Sequence, residues 1–354
     1  RPYEREVGDS IAFFNFTGDP ARRDIVIKDR YRTFWVFNNK LEQLWSGQGQ
    51  LGHYPYPLDI DDDRLDEMVM GFTLWDGDGK IDMLIAQNSR HAYRNSFAHI
   101  SSLAAFTLDG ELLWTQGRPD DYNDVIAHDT PFQIHDIDGD GEHEVVIVRD
   151  FKTQVLDGKT GKLENWAWMP KAPEDNKVRP YEREVGDSIA FFNFSGDPQR
   201  RDIVIKDRYR TFWVFNNKLE QLWSGQGQLG HYPYPLDIDD DGLDEMVMGF
   251  TLWDNDGTRI WSHANEYKDH SDGIVMGNFS GDPDGPVRVY SCASDEGYIL
   301  FDIDGEVQKR IRLGHAQTPS IADYRTDIPG LELMNINFWK NPGIVTLLDY
   351  HGNI

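Results

Sequence analysis

A beat of roughly 43 residues runs through the chain and constrains its fold more than any single motif. Loops beginning with Asn or Asp recur at Asn15, Asp59, Asp136, Asn193, Asp237, Asn278 and Asp323, with spacings of 44, 41 and 45 from Asn193 onward. Each leads into a β-branched run such as Glu144-Val145-Val146-Ile147-Val148 or Asp202-Ile203-Val204-Ile205. A hairpin signal follows, with Asp, Asn or Gly at the turn and often an aromatic close behind. Examples are Leu108-Asp109-Gly110 before Trp114, Leu156-Asp157-Gly158 before Trp166, and Asp254-Asn255-Asp256-Gly257 before Trp261. Turn residues between short apolar runs are a strand–hairpin pattern. A unit of this length with four such runs predicts a four-stranded sheet, and serial repetition of such sheets predicts a β-propeller. The expected fold is therefore all-β: a single β-propeller over residues 1–354, with seven blades, eight being the alternative count. The late Trp of each unit is expected between blades rather than on a ligand platform. The N-terminal strand is expected to complete the last blade, which would close the ring.

A second, much closer repeat overlies the first. Residues 1–79 and 179–257 align without a gap and differ only at Thr17/Ser195, Ala21/Gln199, Arg64/Gly242 and Gly77/Asn255. Ancient repeats diverge further than this, so the copy is recent; a chimera, an in-frame duplication and an assembled sequence all give the pattern. The copies part at a shared Trp-Asp-x-Asp-Gly, one passing into Lys80-Ile81-Asp82 and the other into Thr258-Arg259-Ile260. Residues 53–118 hold too much for one unit and too little for two.

Composition excludes several functions. The net charge of −26 argues against coating nucleic acid, which needs a basic face, and against adhesion to anionic membranes. No apolar run of 18 residues exists, so membrane insertion is not expected. The single cysteine, Cys292, leaves no intrachain disulfide and reads as a buried thiol. The chain opens on Arg1 without a leader-like segment, which fits either a processed protein or a fragment.

The acidic loops carry metal chemistry. Asp136-Ile137-Asp138-Gly139-Asp140-Gly141-Glu142-His143-Glu144 is a D-x-D-x-D-G-x-x-E loop. Alternate carboxylates of a tight loop converge on one point, where Ca2+ takes six to eight oxygens. Asp136, Asp138, Asp140 and Glu144 would supply carboxylates, Glu142 its backbone carbonyl, and Gly141 the left-handed turn. Asp237, Asp239, Asp241, Leu243 (again by its carbonyl) and Glu245 repeat the set. The first copy has Asp59, Asp61, Asp63 and Glu67, but Arg64 stands where the glycine belongs, so a weaker site is expected there. The loops at Asn193–Asp202, Asn278–Asp282 and Asp323–Glu332 are degenerate. Calcium pinning loops without disulfides suits a secreted, extracellular or periplasmic setting.

Other side chains could act on a substrate. His128, His231, His270 and His315 open blades six to eight residues before the metal loops, where inner strands would face a shared funnel. Histidine can serve there as base or acid. Lys206-Asp207-Arg208-Tyr209-Arg210 is a basic-aromatic cluster able to clamp a carboxylate, with Arg149 and Lys152 at a comparable place one blade earlier.

These loops resemble the FG-GAP/VCBS-type calcium repeats of integrin-like propellers. The run Gly230-His231, Asp237 to Gly242, Glu245 to Gly249, Asp254 to Ser262 and His270-Ser271-Asp272-Gly273 is similar to rhamnogalacturonan lyases of polysaccharide lyase family 11. That resemblance implies a monomeric, secreted lyase cleaving a rhamnose-rich, uronate-containing acidic glycan by β-elimination. It also implies eight blades and an additional β-domain, for which 354 residues leave no room. The alternative is a non-catalytic, calcium-stabilised propeller that binds glycan or protein.

Overall fold

The computed structural model describes residues 7–18, 24–29, 33–48, 55–58, 67–70, 73–76, 81–88, 100–107, 111–119, 130–171, 185–338 and 341–354. Among them every regular element is a strand. Four meander sheets run in plain sequence order. They are β1 (Val7–Phe14) to β2 (Asp24–Asp29), β3 (Thr33–Phe37) and β4 (Gln43–Gln48); then, after β5 (Pro55–Leu58) and β6 (Glu67–Met70), β7 (Thr73–Asp76), β8 (Ile81–Asn88), β9 (Ile100–Thr107) and β10 (Leu112–Gly117). The third holds β11 (Phe132–His135), β12 (Glu144–Arg149), β13 (Lys152–Asp157) and β14 (Leu163–Trp168), and the fourth β15 (Ser188–Phe192), β16 (Asp202–Lys206), β17 (Thr211–Phe215) and β18 (Gln221–Gln226). Two more follow the same order. One is β19 (Pro233–Leu236), β20 (Glu245–Met248), β21 (Thr251–Trp253) and β22 (Arg259–Ser262); the other is β23 (Gly273–Asn278), β24 (Val287–Cys292), β25 (Tyr298–Asp302) and β26 (Val307–Ile311). The last sheet has three strands, β27 (His315–Ala322), β28 (Glu332–Phe338) and β29 (Val345–Leu348), while β5 and β6 form a two-stranded sheet.

The chain divides into two compact units: residues 1–72 with 247–250 and 260–354, and residues 73–246 with 251–259. In the second unit, consecutive sheets share cores. Val145 and Ile147 of β12 pack with Leu84, Leu103 and Trp114, whereas Val146 and Val148 pack with Ile189, Ile203 and Ile205. Successive side chains of a strand point to opposite faces, so a strand with neighbours on both sides must be apolar throughout. That is why the second strands read as unbroken β-branched runs. In the first unit β28 does the same: Leu333 joins the core with Tyr290 and Leu300, and Met334 and Ile336 join Ile11 of β1.

That last contact corrects an expectation. β1 does not supply the missing strand of the final sheet; it heads its own sheet and lies face to face with β27 and β28. Its alternating residues Ile11 and Phe13 serve an inter-sheet core, which edge pairing alone would have left without a partner face.

The close copies also part company. In the later copy Glu245-Met246-Val247-Met248 and Thr251-Leu252-Trp253 are adjacent strands of one sheet. In the earlier copy the same residues separate: β6 pairs with β5, while β7 pairs with β8, Thr73 opposite Leu84 and Asp76 opposite Ile81. Residues after the junction offer β7 the long apolar strand Ile81-Asp82-Met83-Leu84-Ile85, and that context decides the pairing.

Fourth-strand tryptophans lock neighbouring turns. Trp114 Nε1 donates to Gly158 O at 2.7 Å, and a Cβ on Gly161 would fall 2.5 Å from the Trp114 ring. Trp223 lies against Gly257 in the same way, and Trp261 against Gly305, with Trp261 Nε1 donating to Ile303 O at 2.8 Å. Gly305 therefore needs both its φ of +89° and its missing side chain. Replacing Gly305 with Ala should lower stability by about 1–3 kcal/mol in a urea titration; an unchanged midpoint would contradict the Trp261 contact.

Candidate functional site

Five loops between first and second strands, those before β2, β12, β16, β20 and β28, share one device. The residue opening the second strand is a buried acid that accepts hydrogen bonds from backbone N–H groups seven or eight residues earlier. Glu144 accepts from Ile137 N at 2.8 Å and Glu245 from Ile238 N at 2.8 Å. Asp202 accepts from Phe194 N and Ser195 N, Asp24 from Phe16 N and Thr17 N, and Glu332 from Tyr324 N and Arg325 N.

In two loops this acid meets further carboxylates. Oxygens of Asp136, Asp138 and Glu144 lie within 4.8 Å of one another, as do those of Asp237, Asp239 and Glu245. Asp140 and Asp241 are exposed and accept from Glu142 N and Leu243 N at 2.8 Å. The Glu142 side chain pairs with Lys159, leaving its backbone carbonyl as the oxygen it offers. Gly141 and Gly242 take φ of +93° and +87°, and Asp240 holds φ +61° where the first loop has Gly139. Burial, with the charges of Asp138, Glu164 and Asp140, pushes Glu144 up to about 7 against the bond from Ile137. Burial, with Asp239, Asp254 and Asp241, pushes Glu245 up to about 7 likewise. Such all-oxygen, mutually repelling donors fit a hard divalent cation. Asp59, Asp61 and Asp63 lie outside the described residues; Glu67 heads β6, and only its backbone is described.

Two of the degenerate loops, those of 193–202 and 323–332, keep the closing acid and pair their middle aspartate with an arginine, whereas the loop from Asn278 leads into Val287 of β24 and has no closing acid. Asp197 Oδ2 meets Arg201 Nη1 at 2.9 Å, and Asp327 Oδ2 meets Arg325 Nη2 at 2.6 Å.

His270 and His315 come together on one buried carboxylate. His270 Nε2 lies 3.3 Å from Asp272 Oδ1 and His315 Nε2 3.1 Å from Asp272 Oδ2. Their other nitrogens face Asp269 at 2.8 Å and Asp295 at 2.7 Å. Ser294 Oγ donates to Asp272, and Ser294 itself holds φ +47°. β23 and β27 are neighbouring first strands, which is why residues 45 apart meet. Burial disfavours charge on His270, but the hydrogen bonds and charges of Asp269 and Asp272 outweigh it and push the pKa up to about 9. Burial likewise opposes charge on His315, and Asp272 and Asp295 overcome it. At neutral pH the His270 imidazole is therefore a cation, suited to hold an anion or give a proton rather than to accept one, and the proton affinity of His315 is raised in the same direction. Asp269, Asp272 and Asp295 were not singled out from sequence, although Asp269-His270-Ser271-Asp272 flanks the histidine with two acids.

His128 lies outside the described residues. His231 stands edge-on to Tyr209, ring centroids 6.0 Å apart. Lys206 is fully buried, its ammonium donating to Asp187 Oδ2 at 2.8 Å and to the carbonyls of Asp207 and Arg208. It braces the fold instead of reaching a ligand. Arg208 Nη1 meets Asp187 Oδ1 at 3.0 Å, and Arg210 is exposed. Arg149 donates to Gln116 and Gln154 at the wall of a cleft of about 740 Å³. The Lys152 ammonium lies 4.4 and 4.5 Å from the Trp166 and Trp168 rings.

No family model matches the chain. It is 25% identical over 254 residues to the rhamnogalacturonan exolyase YesX of Bacillus subtilis strain 168, across 57% of this chain and 40% of the relative. It is 26% identical over 274 residues to the rhamnogalacturonan endolyase YesW of the same strain, across 62% and 43%. The chain thus spans roughly two-fifths of the length of the curated relatives it matches. Its fold is similar to that in the crystal structure of exotype rhamnogalacturonan lyase YesX, with a TM-score of 0.61, 19% identity, and coverage of 94% of this chain and 64% of that one.

His270 gains its proton affinity on folding, so its stabilisation is complete below pH 6.5 and is lost as pH rises through about 9. Melting temperature should fall between pH 6.5 and 9.5 in the wild type and fall less in His270→Gln. Parallel pH curves for the two proteins would contradict the assignment.

Proposed function

We propose that the chain is a calcium-stabilised β-propeller of a secreted or periplasmic polysaccharide lyase, acting on a rhamnose-rich, uronate-containing glycan by β-elimination. The seven sheets of three or four strands would be its blades, and β5–β6 a remnant left at the junction of the copies. The observation that carries this reading is the His270–Asp272–His315 cluster where the neighbouring first strands β23 and β27 begin, in a chain whose curated relatives are rhamnogalacturonan lyases.

β-Elimination makes three demands. The uronate carboxylate must be neutralised, the proton beside it removed, and the departing oxygen protonated. Charged His270, with His315 beside it on the same carboxylate, suits the first and third. The His315 Nδ1 partner, Asp295, has a side chain 75% exposed, so that ion pair contributes about 1 kcal/mol at most. An incoming uronate can displace Asp295 and take its place on the imidazole. Exposed Arg210, beside Tyr209, is a further anion contact. Asp136, Asp138, Asp140, Glu142 and Glu144, and Asp237, Asp239, Asp241, Leu243 and Glu245, would hold Ca2+, which when bound would neutralise those carboxylates and fix the loops.

A second reading, a non-catalytic propeller that binds glycan or protein, is favoured by one observation: each ring nitrogen of His270 and His315 already faces a carboxylate. Absorbance of the unsaturated uronate separates the two. On rhamnogalacturonan the lyase reading expects a rising signal that chelator suppresses and that His315→Gln lowers at least tenfold, with the fold unchanged by circular dichroism. A flat trace, with calcium still raising the melting temperature, selects the binding protein.

A further inference from the structure

We propose that Arg201 is a built-in counter-cation: its guanidinium takes a metal's place in the 193–202 loop and opposes calcium in the 136–144 loop, making that loop the weaker of the two complete sites. The inference rests on the calcium reading above and adds an order of affinities to it.

Arg201 stands immediately before Asp202, the acid that closes its own loop. Its side chain is only 17% exposed, and its planar fork serves two loops at once. Nη1 meets Asp197 Oδ2 at 2.9 Å, the carboxylate a metal would have drawn in. Nη2 meets Asp136 Oδ2 at 3.1 Å, and Nε donates to Asp136 O at 2.7 Å. Asp136 is the first carboxylate of the neighbouring complete loop, so a calcium ion there shares it with a fixed positive charge. A Cβ on Gly139 would approach the guanidinium at 3.4 Å, which places that charge against the loop itself.

The 237–245 loop differs. Asp237 accepts backbone N–H from Asp241 at 3.2 Å and from Gly242 at 2.9 Å. The nearby Arg200 reaches Asp244, whose backbone and charge lie beside the ligand set rather than in it. The two loops thus share a ligand pattern but not an electrostatic environment. Repulsion between a guanidinium and a divalent ion a few ångströms away is worth roughly tenfold in affinity even in a water-like medium. An arginine that merely braced the loop would act with the opposite sign, because losing it would loosen the ligands.

Calcium titration calorimetry on the full chain, stripped with chelator, reads this directly. The wild type should bind with one tight and one weaker site, and Asp237→Asn should abolish the tight one. Arg201→Gln should tighten the weaker site about tenfold and leave the tight one alone, while Arg201→Lys should stay near wild type. Asp197→Asn, which strips the guanidinium of its compensating charge, should weaken that same site, and this arm stands even if Arg201→Gln folds poorly. An unchanged or weakened site in Arg201→Gln, or an unchanged one in Asp197→Asn, overturns the counter-cation. A wild type that binds no calcium removes the calcium reading, and this inference with it.

Discussion

A buried carboxylate at the head of the second strand holds five of the loops to their sheets. Glu144, Glu245, Asp202, Asp24 and Glu332 are each at most 4% exposed and accept one or two backbone N–H groups from the loop that precedes them. Hydrogen bonds to charged groups contribute about 1.5–3 kcal/mol each, and desolvating the acid costs a comparable amount. The balance depends on what else stands nearby. Where more carboxylates converge, as around Glu144 and Glu245, the acid is driven toward neutrality and the loop calls for a cation. Where an arginine is at hand, as Arg201 and Arg325 are, the cation is already part of the chain.

The same strand that carries this acid is buried on both faces, so one element fixes both the loop and two cores. Its odd and even residues go to different neighbours, as Val145 and Ile147 against Val146 and Val148 show. His270, three residues before β23, and His315, the first residue of β27, end on the two oxygens of Asp272.

The four-strand unit, the acidic loops before the second strands and the inter-sheet tryptophans were legible because each depends on local sequence: turn chemistry, alternate carboxylates, an aromatic at a fixed offset. Lys206 was misread because a Lys-Asp-Arg-Tyr-Arg run looks like a charged tip. Its period-2 position, two residues beyond Val204 on the same face of β16, already pointed inward. The strand pairing of β6 and β7 was not legible at all. Identical residues in the two copies pair differently, so the information lies in Ile81–Ile85 beyond the junction and not in the strands themselves. Arg201 escaped for a related reason: its partner Asp136 is 65 residues away, and only the packing of adjacent sheets brings them together.

The central claim is that the loops closed by a buried acid come in two kinds, those needing a metal and those carrying their own cation. Amide hydrogen exchange with and without chelator tests it loop by loop. Protection at Phe194, Ser195, Tyr324 and Arg325 should survive chelation, while protection at Ile137 and Ile238 should drop by at least tenfold. Equal loss in all four loops, or none in any, would contradict the account.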